Sequence, residues 1–193
     1  MNKINIDPID DAVKNAPQIF EKIDFKTLAT DEKVQLGDAL ALGENPAAGY
    51  KVLMDAAMSV RETNRGYYDW IAWRAGWAAW LAGNESEARK VFDAILKDNN
   101  DKKIPKEKWG YGQWGAAWFR GKVVDDDLLF YFATQGPASE DDPFFFFGER
   151  LLKQKKYDDA KKAYERCVEL AKKSGDTFPA NWAKWRLKQM EGK

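Results

Sequence analysis

Residues 144–164 read FFFFGERLLKQKKYDDAKKAY, and this stretch is the starting point for interpreting the fold. Its first half carries large residues three and four positions apart, one of them followed directly by a glycine. Its second half carries an alanine with an aromatic residue four positions later. Close packing explains such a pattern, because small residues let two antiparallel helices approach within about 8–10 Å while large residues fill the gaps beside them. The marker positions are Phe144, Phe147, Gly148 and Leu151, then Tyr157, Ala160 and Tyr164.

The same frame recurs three times upstream. In each copy a glycine precedes a second marker position by twelve residues. The paired positions are Gly37 and Gly49, Gly76 and Ala88, Gly115 and Asp127, and Gly148 and Ala160. The four glycines are spaced 39, 39 and 33 residues apart. The longer intervals predict extra loop residues between copies, and the polar, turn-rich stretch 98–105 (DNNDKKIP) is predicted to be one such loop.

This frame resembles the tetratricopeptide repeat, a helical hairpin of about 34 residues. The resemblance covers roughly residues 30–174 and is most complete in the fourth copy. The third copy departs from the family by placing Asp127 where a small residue is expected, and the first copy lacks the leading aromatic residue. The resemblance implies an all-α fold, a right-handed superhelix of about four hairpins that turn near Gly43, Gly83, Gly121 and Lys155.

We expect one continuous domain with a capping helix at each end, since terminal helices cover the exposed faces of a repeat array. The N-terminal cap is residues 1–29, with a helix over 8–23 and Asp7 as its N-cap. The C-terminal cap is residues 175–193, with a helix over 179–190. The four hairpins are expected at about 30–68, 69–107, 108–140 and 141–174.

Composition argues against several classes of partner and location. Lysine plus arginine equals aspartate plus glutamate at 31 each, so no overall field favours nucleic acid or an anionic membrane. No stretch approaches the roughly 18 apolar residues of a membrane span. The only cysteine, Cys167, allows no internal disulfide, and the N-terminus has no apolar signal region. We expect a cytoplasmic protein, with an exported protein whose signal has been removed as the alternative.

The chain lacks the residues that common catalytic sites use. It has no histidine, which excludes Ser-His and Cys-His nucleophile pairs and histidine metal ligands. It also has no glycine-rich phosphate loop. We therefore expect no enzyme, no cofactor and no metal, and we expect Cys167 to be a core thiol. The run Asp125–Asp127 is predicted to start a helix, with a weak calcium site as the alternative.

Nine tryptophans in 193 residues need an explanation. Four of them follow one another at intervals of 3, 4 and 3, which places them on one helical face. The family's geometry puts that face on the concave side of the superhelix, where peptide ligands usually bind. The resemblance thus implies a non-catalytic scaffold that binds a protein or peptide, with Arg74 and Arg120 available to hold a ligand carboxylate. The expected contact residues are Trp70, Trp73, Arg74, Trp77, Trp80, Trp109, Arg120 and Phe145.

Three alternatives stay open for the tryptophan stripe. Stacked indoles also suit a carbohydrate or another small molecule, which needs a closed pocket rather than an open groove. A self-assembling module would bury the stripe against a second copy of the chain, as a homo-oligomer. The stripe would instead be ordinary core if the chain's own terminal helices covered it. Trp114 and Trp118 are expected to be core, opposite Ala75 and Ala79 of the preceding copy.

Overall fold

The computed structural model of the chain describes residues 9–101, 104–135, 141–172 and 178–191. These residues form ten α-helices and two short 3-10 turns, at Phe25–Thr27 and Lys106–Lys108, and none of them lies in a β-strand. The predicted all-α class is therefore confirmed for the described part of the chain. The helices fall into two compact units, one ending at Val123 and the other beginning at Val124.

The first unit contains six helices, and α4 lies at its centre. Helices α1 to α5 pack in sequence, each against the next, and α6 packs against both α4 and α5. Helix α4 also touches α2, so four other helices surround it. The six are α1 (Ile9–Lys22), α2 (Thr30–Leu42), α3 (Pro46–Val60), α4 (Arg65–Leu81), α5 (Glu85–Asp101) and α6 (Tyr111–Phe119).

Asparagines begin three of these helices. The side-chain oxygens of Asn45, Asn64 and Asn84 each accept a hydrogen bond from the backbone N–H three residues later, at 3.1–3.2 Å. This satisfies one of the N–H groups that the first turn of a helix leaves unpaired. Gly83 and Gly121 end their helices with φ of 78° and 66°, a left-handed conformation that glycine adopts without steric cost.

The four predicted turn positions all lie between consecutive helices. Gly43, Gly83 and Gly121 separate α2 from α3, α4 from α5, and α6 from the helix that begins at Asp125. Lys155 lies between the last two frame helices and has a φ of 61° in place of a glycine. The turns of the helical frame are therefore confirmed.

The frame glycines pack as the sequence pattern suggested in three of the four copies. A Cβ atom added to Gly37 would lie 2.6 Å from Leu53, one added to Gly76 would lie 2.4 Å from Phe92, and one added to Gly148 would lie 2.3 Å from Tyr164. Each pair is separated by sixteen residues, so one rule of spacing describes three close helix contacts. Only a residue without a side chain allows the large partner to approach so closely.

The third copy is different. A Cβ atom on Gly115 would lie 2.2 Å from the indole of Trp73, so the neighbour of this glycine belongs to α4. The boundary between the two compact units also falls within this copy, directly before the helix that contains Asp127. The copy in which Asp127 departs from the family pattern is therefore also the copy in which the glycine does not pack against a residue sixteen positions later.

The second unit contains α7 (Asp125–Thr134), α8 (Asp142–Lys153), α9 (Tyr157–Ala171) and α10 (Phe178–Met190). Helices α8, α9 and α10 pack against one another, and α7 packs against α8. A buried carboxylate joins three of them. Glu149 accepts two hydrogen bonds from Arg186 at 2.7 and 2.9 Å and one from the Tyr164 hydroxyl at 2.7 Å. The predicted C-terminal helix is confirmed, and this network holds it in place.

Two expectations at loop positions have different outcomes. Helix α5 continues to Asp101, so the predicted loop 98–105 is wrong for its first four residues, and residues 102–103 lie outside the described part. The buried Ile95 and Leu96 anchor the last turns of α5, which lets the polar end continue the helix. Asp125–Asp127 form the first turn of α7, as predicted.

Asp7 and Pro8, the predicted start of the N-terminal helix, lie outside the described residues. None of the described helices is long and apolar enough to cross a membrane.

Candidate functional site

The eight predicted contact residues differ in how much of each side chain is exposed to solvent. Four of them are at most 5% exposed, namely Trp73, Arg74, Trp77 and Phe145. A side chain buried to this extent presents no surface to a ligand, so the structure corrects the expectation that these four line an open face. For the two tryptophans it supports the core interpretation that the sequence had left open. The half-buried members are Trp70, Trp80, Trp109 and Arg120.

Trp73 is buried because two glycines allow α6 to approach α4. A Cβ atom on Gly112 would lie 2.2 Å from the backbone of Asp69, and one on Gly115 would lie 2.2 Å from the Trp73 ring. The indole therefore fills the space between the two helices. Trp118 on α6 is also buried, as predicted, whereas Trp114 is half-buried.

Trp70 and Arg74 belong to an internal cluster. Trp70 stacks on Tyr67 three residues before it, and the guanidinium of Arg74, four residues after it, lies 4.4 Å from the centre of the Trp70 ring. The half-buried Trp70 ring is therefore held between its own helix neighbours, one turn before it and one turn after it.

The sequence analysis expected Arg74 to bind the carboxylate of a ligand, but in the structure Arg74 binds the carboxylate of Asp38. Arg74 Nε donates to Asp38 Oδ1 at 3.0 Å, and a terminal nitrogen of the same guanidinium donates to Oδ2. Burial raises the pKa of Asp38, and the positive charge of Arg74 opposes that shift. Arg74 is thus committed to joining α4 to α2.

Trp80, at the end of α4, forms part of a small open cleft with α5 and the end of α6. Its ring lies edge-on to Phe119 with centroids 5.6 Å apart, and Phe119 stacks on Phe92 at 4.9 Å. The cleft has a volume of about 100 Å³. Three aromatic rings form its wall, and charged side chains form its rim. The lining residues are Trp80, Glu85, Ala88, Arg89, Phe92, Phe119 and Arg120.

Two arginines lie on the rim of this cleft. Arg120 Nε donates to Asp93 Oδ1 at 2.8 Å, and both side chains are partly exposed. Arg89 is exposed and makes no ion pair with any residue that the structure describes. The tryptophan pattern did not indicate Arg89. The available signal was its position on α5, directly after Ala88 and one turn before Phe92 of the repeat frame.

Trp109 lies away from the cleft. Its indole N–H donates to the carbonyl oxygen of Ile104 at 3.2 Å, and its ring contacts Trp114 edge-on. It precedes α6, whereas Phe119 and Arg120 lie at the end of that nine-residue helix, which rises by about 13 Å. The structure therefore brings Trp80 and Arg120 together but places Trp109 elsewhere.

In the described part of the chain, Cys167 and the acidic side chains are the candidates for binding a metal ion. No group of three or more cysteine or acidic side chains there could hold a metal ion. Cys167 is fully buried, as expected of a core thiol, and burial raises its pKa far above that of a reactive cysteine. The chemistry that the site offers is apolar contact beside guanidinium groups.

Comparison with known proteins adds no assignment to this site. The sequence matches no protein-family model and no curated protein. The resemblance to the tetratricopeptide repeat therefore stays a prediction from the spacing of residues in the sequence.

Proposed function

We propose that this chain is a non-catalytic, tetratricopeptide-like scaffold that binds a segment of another protein at the cleft between α4, α5 and α6. The observation that carries the proposal is the cleft wall, in which Trp80 stays half-exposed beside Phe119 and Phe92. Tryptophan and arginine contribute most of the binding energy at many protein interfaces. Here both residue types line one concavity of the surface.

The size of the cleft favours a protein segment over a carbohydrate or another small molecule. Pockets that enclose drug-sized ligands have about 300–1,000 Å³, whereas this cleft has about 100 Å³ and is open to solvent. A sugar ring would also need an exposed indole face. Trp73 and Trp77 are buried, and Trp70 contacts Tyr67 and Arg74, which leaves Trp80 as the one indole of the stripe that lines the cleft. A single apolar side chain projecting from a partner fits the cleft better.

The proposal can be tested with random twelve-residue peptides displayed on phage and selected on the immobilised full chain. Selected peptides would be synthesised and their dissociation constants measured by fluorescence polarisation. Trp80→Ala is expected to weaken binding by at least about 30-fold, the loss that removal of an anchor residue causes. Trp185→Ala, which removes a half-buried tryptophan of the second unit, is the matched control and should leave affinity unchanged.

Thermal unfolding of each variant shows whether a loss of binding reflects a loss of folding. Peptides that bind wild-type protein and Trp80→Ala equally well would contradict the proposed site, and a selection that enriches nothing would contradict the binding function. If the cleft instead mediates self-assembly, the wild-type protein should dimerise in sedimentation experiments, and Trp80→Ala should abolish the dimer.

A further inference from the structure

The ion pair between Arg120 and Asp93 differs from two buried arginine–carboxylate pairs, Arg74–Asp38 and Arg186–Glu149. Arg74 holds Asp38 with two hydrogen bonds over the ring of Trp70, and Arg186 holds Glu149 with two. Both of those carboxylates are buried. Arg120 holds Asp93 through Nε alone, and the Asp93 side chain is 51% exposed.

Toward the residues that the structure describes, Arg120 therefore keeps most of its capacity for binding an anion. A guanidinium has five N–H donors in a planar arrangement that matches a carboxylate with two parallel hydrogen bonds. The contact with Asp93 uses one of them. Exposed ion pairs contribute little to stability, so exchanging Asp93 for another carboxylate costs little.

We propose that the cleft selects an acidic segment, in which an apolar side chain contacts Trp80 and Phe119 next to an aspartate or glutamate that binds Arg120. This inference rests on the proposed function and specifies its ligand. Asp93 is then an internal competitor that occupies Arg120 until the ligand arrives. Arg89 on the same rim adds a second positive charge. Glu85 also lies on the rim, and its negative charge repels a ligand carboxylate that comes close to it.

Two selections separate this inference from the function on which it rests. One uses an unrestricted library of displayed twelve-residue peptides, and the other uses a library without aspartate and glutamate. We expect Trp80-dependent binders from the first library and not from the second. Equal enrichment of Trp80-dependent binders from both would overturn the acidic specificity while leaving the binding function intact. Enrichment from neither library would overturn both.

Variants of the protein then test the roles of Arg120 and Asp93. Replacing the critical glutamate or aspartate of a selected peptide by its amide should weaken binding to wild-type protein at least about tenfold, because charge-assisted hydrogen bonds are lost. The same replacement should change binding to Arg120→Gln by less than about twofold. Arg166→Gln, which removes an exposed arginine paired with Glu169, is the matched control and should behave as wild type.

Asp93→Asn gives a prediction of opposite sign. Removing the competitor should tighten binding of the acidic peptide about two- to fivefold, the range expected for loss of an exposed ion pair. Binding of the amide peptide should not change. A variant that binds the acidic peptide no better than wild type would overturn the role of Asp93, because a merely structural aspartate would not improve affinity on removal.

Discussion

Gly115→Ala should destabilise the protein, although alanine is the better helix former. The substitution lies within α6, where replacing glycine by alanine favours the helix by about 1 kcal/mol. The new Cβ atom, however, would lie 2.2 Å from Trp73 Cε2 and 2.3 Å from Nε1. The sign of the result therefore depends on whether α6 packs against the buried Trp73 ring.

The structure predicts that the clash outweighs the gain in helix propensity. Overpacking a well-filled core costs about 1–3 kcal/mol. The upper part of that range applies, because the clashing atoms belong to a rigid indole that is 3% exposed. Subtracting the propensity gain leaves a net loss of about 1–2 kcal/mol. Such a loss is measurable in a protein whose total stability is expected to be about 5–15 kcal/mol.

Gly66→Ala is the matched control for this measurement. Gly66 is exposed near the start of α4, and its added Cβ atom would lie no closer than 3.9 Å to Asn64. We expect a gain of about 0.4–1 kcal/mol there. Urea unfolding followed by circular dichroism measures both variants.

A second variant tests whether the Trp73 ring causes the effect. Trp73→Phe should make Gly115→Ala less harmful by at least about 1 kcal/mol in a double-mutant cycle, because the smaller ring leaves room for the methyl group. If Gly115→Ala stabilises the protein as Gly66→Ala does, the packing of α6 on α4 described above is incorrect.

Three further predictions follow from buried groups. Trp73→Ala combined with Trp77→Ala should remove most of the stability, at roughly 3–5 kcal/mol each in urea unfolding, and a small loss would place these indoles at the surface. Arg74→Met should cost about 3–5 kcal/mol, because Asp38 stays buried without its cation. Burial raises the pKa of Asp38, so the folded variant binds a proton more tightly than the unfolded chain does. Its free energy of unfolding in urea should therefore fall as the pH rises above the ordinary aspartate pKa of 3.8, and a flat pH profile would contradict this. Cys167 should react with a thiol reagent only after urea unfolds the chain, and rapid labelling of the native protein would refute its burial.

Local features of the sequence predicted the helices and their turns well. Helical hydrogen bonds join residues four apart, so the spacing of large and small residues reports directly on which face of a helix packs. The sixteen-residue distance from Gly37, Gly76 and Gly148 to their large partners is local in this sense, because it spans one helix pair.

The candidate site was only partly predictable. Trp80 and Arg120 were identified from the stripe and its continuation, and both line the cleft. Arg89 and Asp93 were not, because their importance depends on where α5 and the end of α6 meet. Charged residues are common on exposed helix faces, so their spacing alone does not distinguish a rim from an ordinary solvated surface.

The sequence by itself determined the all-α class, the turns and the common face of Trp70, Trp73, Trp77 and Trp80. Only the tertiary structure decided which of these indoles contacts solvent. A helical period predicts that certain side chains lie on one face of a helix. Whether that face is buried depends on which other part of the chain packs against it. The indole of Trp73 packs against Gly115, which lies 42 residues later in the sequence. The indole of Trp70 packs against Arg74, whose guanidinium is held by Asp38 of α2. Trp80 stays half-exposed in the cleft, where it contacts Phe119, the last residue of α6.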